Sequence, residues 1–114
     1  MPLPLILEIP NDPRGWDSYS FAHQLDHTEI QEAVQKQKSI NLPVLELYPV
    51  DPQNKEAFAI WADLHAQAHD DFNSVLGIPG NDLTNLDLKD PASVRTWLFM
   101  NFQEHQNARQ VLGI

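Results

Sequence analysis

Two segments of the chain carry matched start and stop signals for α-helices, and no other feature of the sequence restricts the fold as strongly. Each begins with an Asp-Pro pair, at Asp51-Pro52 and at Asp90-Pro91. Aspartate is a favoured N-cap residue, and proline fits the first helical position because the N–H that it lacks has no partner there. Each segment ends in a Leu-Gly pair, and Gly77 and Gly113 suit the left-handed position after a helix. The sequence therefore predicts two helices between these signals.

A further helix is predicted over residues 17–38, where polar and apolar residues mix with helical spacing. Thr28 and the glutamine three residues after it match a capping box, which predicts a break in this helix near Thr28. If residues 16–37 instead form one continuous helix, its apolar stripe includes His23 and His27. Either arrangement places histidines on this element.

Two apolar segments that contain flanking prolines are predicted to be extended. Residues 2–10 (PLPLILEIP) fit an edge strand or an arm that lies on another surface, and residues 40–50 (INLPVLELYPV) fit a second strand or a crossing segment. The loop over residues 78–89 carries three spaced leucines that we expect to be buried against the domain: Leu83, Leu86 and Leu88. The expected fold is mainly α, a compact bundle of about three helices with one or two short extended segments. Residues 1–114 form a single helical domain, in which residues 1–15 are an extended N-terminal arm and turn.

Composition limits the classes of function. The 114 residues suit one domain with one hydrophobic core, and the apolar content of 42% is too high for a disordered chain. A formal net charge of −9, spread along the chain, should repel polyphosphate, so we expect no direct nucleic-acid binding. We expect no membrane contact and no targeting signal, because no apolar stretch approaches about 18 residues and the N-terminus lacks a basic region. Cysteine is absent, which excludes thiolate metal ligands and thiol nucleophiles.

The placing of the five histidines is the feature that most suggests a site. The sequence contains no phosphate-binding glycine loop, no His-Glu-x-x-His motif and no Gly-x-Ser-x-Gly elbow, so we expect no enzymatic activity. His23 with His27, and His65 with His69, have i, i+4 spacing. This spacing puts both rings of a pair on one helix face, where two ring nitrogens can bind one metal ion.

Helical phase predicts that the histidines face the core. At about 100° per residue, His65 lies on the same stripe as Trp61 and Phe72, with His69 at its edge. In the last helix, His105 lies on a stripe with one asparagine and four apolar residues: Val94, Leu98, Asn101, Ala108 and Leu112.

Two interpretations of this pattern stay open. In the first, the histidines are the ligands of a metal site between helices: His65, His69, His105, His23 and His27. Asp26, Asp70 or Glu104 would support them, and zinc or iron would suit imidazole and carboxylate. In the second, no cofactor is bound, and the rings form a polar network at the core margin, hydrogen-bonded to carbonyls, carboxylates and Asn101. Helical di-iron proteins use a Glu-x-x-His motif, which this chain lacks.

Apolar segments outside the helices are the candidates for contact with a partner. The residues that we expect to take part lie in the N-terminal arm and in the second extended segment: Leu3, Leu5, Ile6, Leu7, Ile9, Leu45, Leu47 and Tyr48. The alternative is that they pack on the chain's own helices. Because such segments commonly serve assembly, we expect a homo-oligomer or docking on a larger ring or shell.

An ordered set of short motifs spans residues 60–114. It consists of the run of histidines, an LGI-x-G-x-DL segment, an Asp-Pro helix start, a tryptophan, a Glu-His pair and a terminal LGI. Together with HQLDH at residues 23–27, a weaker match, this set resembles small uncharacterised proteins that are encoded among the virion genes of tailed bacteriophages.

The resemblance implies a non-enzymatic structural or assembly subunit of a virion, such as a decoration, neck or baseplate-associated protein. Its location would be the virion, assembled in the host cytoplasm, and its partners would be other virion proteins or copies of itself. No catalytic residues follow from the resemblance. A metal-binding helical protein with a His/carboxylate site between helices is the alternative, and a small regulatory protein whose acidic surface blocks a basic partner is a third possibility.

Overall fold

Three helices account for most of the described residues. The computed structural model describes residues 2–5, 9, 12–43 and 54–114. Its helices are α1 (Pro13–Lys38), α2 (Lys55–Leu76) and α3 (Pro91–Leu112), and the described residues form no β-strand. The expected mainly α bundle of three helices is confirmed. None of these described helices has an apolar stretch long enough to span a bilayer.

The ends of α2 and α3 follow the predicted capping signals. At the start of α3, the Asp90 side chain accepts a hydrogen bond of 3.0 Å from the backbone N–H of Ala92. Gly77 ends α2 and Gly113 ends α3 in the left-handed conformation, with φ angles of 68° and 70°. Glycine adopts this conformation without the steric penalty that a Cβ atom brings.

The start of α2 differs from the prediction. The Asp51-Pro52 pair lies outside the described residues, and the helix begins at Lys55. Asn54 is the N-cap, and its side chain accepts a hydrogen bond of 3.2 Å from the N–H of Ala57. Asparagine caps a helix as well as aspartate does, so the sequence alone does not choose between two capping residues that lie three positions apart.

α1 is continuous from Pro13 to Lys38, so the predicted break near Thr28 is wrong. The Thr28 hydroxyl donates a hydrogen bond of 3.0 Å to the carbonyl of Gln24, four residues earlier, instead of capping a new helix. A threonine inside a helix commonly bonds in this way. Because the helix is unbroken, His23 and His27 lie on one buried face with its apolar residues.

The core contains two apolar layers, one toward each end of the bundle. The first layer consists of Leu3, Tyr19, Trp61, Ala68, Leu83, Val94, Trp97 and Leu98. The second layer consists of Ile30, Ala33, Val34, Phe72, Ala108 and Leu112. In each helix the residues of the first layer precede those of the second along the chain, so the three helices run in the same direction.

The connection between α2 and α3 returns along the bundle to the first layer. Leu83 is buried there, and its carbonyl accepts a hydrogen bond of 2.9 Å from Trp97 Nε1. Leu86 packs partly against the same layer, whereas Leu88 is 37% exposed in the turn that leads into α3. The expected burial of the three leucines is therefore confirmed for Leu83 and Leu86 and wrong for Leu88.

The described part of the N-terminal arm lies on the chain's own core, and its residues form no strand. Leu3 is 1% exposed within the first layer, and Ile9 packs partly against that layer. Leu5 is exposed, and Ile6 and Leu7 lie outside the described residues. Leu3 and Ile9 therefore favour packing on the chain's own helices over contact with a partner.

Most of the second extended segment, residues 40–50, lies outside the described residues, including Leu45, Leu47 and Tyr48. Of its described part, the carbonyl of Pro43 accepts a hydrogen bond of 3.2 Å from the Gln31 side chain. The prediction that this segment contacts a partner stays a prediction.

Candidate metal centre

The five histidines meet in a polar layer between the two apolar layers. His23 and His27 come from α1, His65 and His69 from α2, and His105 from α3. None of the five is more than 2% exposed. The predicted inward phase of α2 and α3 is confirmed, and the conditional alignment on α1 holds because that helix is continuous.

The ring nitrogens of these histidines converge on one small volume. One nitrogen of each ring lies within 4.8 Å of the chosen nitrogen of every other ring. His23 Nε2 is 3.2 Å from His27 Nε2 and 3.1 Å from His65 Nε2. The i, i+4 pairs supply two neighbouring rings from one helix, and the shared direction of the helices brings the pairs to the same level.

These separations resemble those within a single coordination sphere. A metal–imidazole bond is about 2.0–2.1 Å long, so two ligand nitrogens lie about 3.0 Å apart at a right angle and about 4.2 Å apart on opposite sides of the ion. The two contacts of His23 Nε2, at 3.1 and 3.2 Å, fall in the range for neighbouring ligands. The largest separation, 4.8 Å, exceeds the distance for opposite ligands by about 0.6 Å. A shift of about 0.3 Å in each of the two rings would bring their nitrogens to that distance.

Glu104 orients the ring of His69. Glu104 Oε1 accepts hydrogen bonds from His69 Nδ1 at 2.9 Å and from Asn73 Nδ2 at 2.8 Å. Glu104 Oε2 accepts a third bond, of 2.7 Å, from the backbone N–H of Asn81. Because an ionised carboxylate only accepts, His69 Nδ1 carries the proton and Nε2 carries the lone pair, which is the state that a metal ligand needs.

Asp26 orients His105 in the same way. Asp26 Oδ2 accepts a hydrogen bond of 2.6 Å from His105 Nδ1, and Oδ1 accepts one of 2.6 Å from Arg109 Nη1. Burial alone would raise the pKa of Asp26, but the bonds and charges of His105 and Arg109 lower it below its usual value. Arg109 also donates to Glu29 at 2.7 Å, which links the cluster to the partly exposed rim. Asp26 therefore stays ionised, and its bond to His105 Nδ1 leaves Nε2 on the opposite edge of the ring.

Asn101 and Tyr19 hold His65 in place. His65 Nε2 lies 3.0 Å from Asn101 Oδ1, and Asn101 Nδ2 donates a hydrogen bond of 2.6 Å to the Tyr19 hydroxyl. Burial raises the pKa of Tyr19, so its hydroxyl stays protonated. Trp61 stacks on the His65 ring with a centroid distance of 4.7 Å and an interplanar angle of 18°. The ring is thus fixed by an amide at its edge and by an indole on its face.

Four ring nitrogens of the cluster have no hydrogen-bond partner among the described residues: His23 Nδ1, His65 Nδ1, His69 Nε2 and His105 Nε2. A buried polar atom without a partner costs about 1–3 kcal/mol. On His69 and His105 the unpaired atom is Nε2, across the ring from the nitrogen that is bonded to a carboxylate. These two nitrogens are available to coordinate a metal ion.

Burial keeps four of the five rings uncharged. Burial lowers the pKa of His23, His27 and His69 well below the usual value for histidine, and the positive charges that neighbouring rings would carry lower it further. The pKa of His65 falls to about 3, again chiefly because of burial. Neutral imidazole is the form that binds metals. These four rings are therefore in the form that binds a metal ion at neutral pH.

The surroundings supply the negative charge that a divalent ion would need. Neutral imidazoles carry no charge, and a buried ion without counter-charge is strongly disfavoured. Asp26 and Glu104 are both buried, and each accepts a hydrogen bond from one of the histidines. Two carboxylates would balance one divalent ion, and Glu29 would balance Arg109.

The carboxylates predicted to support the histidines divide into two groups. Asp26 and Glu104 belong to the network, whereas Asp70 is exposed and lies outside it, so that part of the prediction is wrong. Asp70 directly follows His69, and adjacent residues on a helix point about 100° apart. For the same reason Glu104 reaches across to α2 rather than to its chain neighbour His105.

The contributors to the network that were not predicted include Asn73, Arg109 and the backbone N–H of Asn81. Asn73 follows His69 by four residues, and Arg109 follows His105 by four residues, so the i, i+4 rule on an inward face could have found both. The N–H of Asn81 left no signal, because any residue type can donate from its backbone.

The fold and the cluster define a class, that of three-helix proteins with a buried, histidine-rich centre. No protein-family model, curated protein or solved structure matches this chain. The geometry of the cluster is therefore what points to a function.

Proposed function

We propose that the protein binds one divalent transition-metal ion at the centre of its helical bundle. The observation that carries this proposal is the convergence of five buried histidines, with one ring nitrogen of each within 4.8 Å of all the others. The ligands would be His23, His27, His65, His69 and His105. Asp26 and Glu104 would orient two of these rings and balance the charge of the ion.

A metal ion accounts for the cluster better than a polar core network does. Buried polar groups in a core network are nearly always paired, because an unpaired group is costly. Here His69 Nε2 and His105 Nε2 lack a partner among the described residues. A carboxylate on one ring nitrogen and a free lone pair on the other, as at His69 and His105, is the usual arrangement of a metal-ligating histidine.

The donor atoms select the class of metal. Imidazole nitrogen suits zinc, iron, cobalt, nickel and copper, whereas calcium and magnesium take oxygen ligands. Zinc and iron, the two metals named from the sequence, both belong to the first class. Because the five protein ligands would come from all three helices, we assign the ion a structural role, in which it links the helices.

A role as a structural or assembly subunit of a tailed-phage virion stays a prediction that rests on the sequence resemblance. The two proposals are compatible, because a bound metal stabilises domains whose core is small. The partners in that role would be other virion proteins or further copies of the chain.

Native mass spectrometry tests the metal-binding proposal, with the protein incubated either with zinc or, without oxygen, with iron(II). We expect one ion per wild-type chain. His69→Gln and His105→Gln each remove a ligand oriented by a carboxylate, so they should lower the metal content. Ser20→Ala is the matched control, because it removes a buried polar group that is not a histidine.

Circular dichroism of each variant separates loss of the site from loss of the fold. A folded His105→Gln protein with reduced metal content supports the proposal. Wild-type protein that takes up no zinc and no iron(II) from an excess of either contradicts it.

A further inference from the structure

A cavity lies beside the histidine cluster, between α2 and the connection to α3. Its volume is about 140 Å³. Ala66, His69 and Asp70 line it from α2, and residues 81–84 line it from the connection. His69 also contributes one of the converging ring nitrogens. One imidazole therefore belongs to both the wall of the cavity and the cluster.

One carboxylate, that of Glu104, is hydrogen-bonded to both α2 and the connection, the two sides of this cavity. Glu104 accepts a hydrogen bond of 2.9 Å from His69 Nδ1 on α2 and one of 2.7 Å from the N–H of Asn81 in the connection. The connection packs closely at this point, since a Cβ atom on Gly80 would lie 3.0 Å from Asn73 Nδ2. Glu104 therefore links the His69 ring directly to the connection.

The wall of the cavity is negatively charged. Asp70 and Asp82 line it, and both are exposed. Asp82 accepts hydrogen bonds from the Thr84 hydroxyl at 2.6 Å and from the Thr84 N–H at 3.0 Å, which lower the pKa of Asp82 and keep it ionised. The residues that line the cavity include no lysine and no arginine. A concave surface with charges of one sign concentrates ions of the opposite sign.

We propose that this cavity is the route by which a divalent cation reaches and leaves the histidine cluster, with Asp70 and Asp82 attracting the cation. The inference rests on the proposed metal binding. His69 supports this route independently of the acidic residues, because its side chain is only 2% exposed and its Nε2 has no partner among the described residues. His69 is the histidine that lines the cavity and also contributes to the cluster, so it connects the two.

The first test fills the cavity in the full-length chain. Ala66→Phe places an aromatic ring in it, and Ala59→Phe makes the same change at an exposed position of α2 that does not line it. Zinc uptake and release are followed with a chromogenic chelator, and the equilibrium dissociation constant is measured separately. For Ala66→Phe we expect both rates to fall by about tenfold, equivalent to about 1.4 kcal/mol in each barrier, with little change in the dissociation constant. Ala59→Phe should behave as the wild type.

The second test changes only charge, so it does not depend on how the fold tolerates a larger side chain. Asp70→Lys reverses a charge at the cavity, and Asp17→Lys makes the same change at an exposed position of α1. At low ionic strength we expect Asp70→Lys to slow zinc uptake by about threefold or more relative to Asp17→Lys. The difference should shrink as salt is added, because screening shortens the range of the attraction.

The outcomes separate this inference from the proposed function. If the wild type binds zinc and both cavity variants load at the rates of their controls, the route is wrong while the metal site stands. If the wild type binds no metal, the proposed function and the route are both overturned.

Discussion

Asp26 joins the histidine cluster to the ion pair at its rim, and Asp26→Asn distinguishes a metal site from a polar core network. The side chain is fully buried, and its two oxygens accept hydrogen bonds of 2.6 Å, one from His105 and one from Arg109. Asparagine has nearly the same size but only one carbonyl oxygen. In the variant, either His105 or Arg109 therefore loses its acceptor.

The size of the effect depends on whether metal is bound. Without metal, the loss is that of one hydrogen bond to a charged group, about 1.5–3 kcal/mol of unfolding free energy. With metal, the loss of a carboxylate behind a ligand histidine also weakens binding by about 10–100-fold. At a metal concentration far above the dissociation constants of both the wild type and the variant, this weaker binding lowers the free energy of unfolding by a further 1.4–2.7 kcal/mol, approximately. The expected total with metal is about 3–6 kcal/mol.

Urea unfolding followed by tryptophan fluorescence measures the effect, once with a chelator and once with excess zinc. Glu29→Gln is the matched control, because it removes a second carboxylate from Arg109 at the partly exposed rim. We expect the destabilisation by Asp26→Asn to be larger with zinc than with the chelator, and the effect of Glu29→Gln to be the same in both. An equal effect of Asp26→Asn in the two conditions would refute the reasoning, because a polar network alone does not respond to zinc.

Three further predictions follow from the described contacts. In metal-free protein, burial lowers the pKa of four histidines: His23, His27, His65 and His69. Below about pH 6.5 the folded state therefore takes up fewer protons than the unfolded state. The contribution of these uncharged rings to the free energy of unfolding is complete above that pH and falls by about 1.4 kcal/mol per pH unit for each ring on acidification, which pH-dependent urea titration would show. Leu3→Ala should cost about 2–5 kcal/mol in thermal or urea unfolding if Leu3 packs in the chain's own core, and nothing if it serves a partner. Gly77→Ala should cost about 1 kcal/mol, because φ is +68° although nothing lies within 4 Å of the added Cβ, and metal content by mass spectrometry should not change.

Local signals in the sequence predicted the helices and the inward phase of the histidines. The Asp90 cap and the glycines at positions 77 and 113 act through their immediate neighbours, so they can be recognised without the tertiary structure. The burial of His65 and His105 follows from a period of about 3.6 residues. Thr28 shows the limit of such signals, because its hydroxyl bonds equally well as a cap or inside a helix.

The assembly of the cluster could not be predicted in this way. It depends on the shared direction of the three helices, which no single helix determines. The bonds from His69 to Glu104 and from His105 to Asp26 join residues 35 and 79 positions apart, and nothing local marks them as pairs. Phase could have excluded Asp70 as a supporting carboxylate, since it points away from the inward stripe.

Diffraction at the zinc absorption edge, from crystals of the protein grown with zinc, tests the claim that the histidine cluster is a metal site. We predict one anomalous peak per chain between the five histidines, about 2.0–2.1 Å from the coordinating ring nitrogens, with Asp26 and Glu104 still bonded to His105 and His69. No peak among these rings, or zinc only at surface carboxylates such as Asp70 and Asp82, would contradict the claim and leave the histidines as a polar layer of the core.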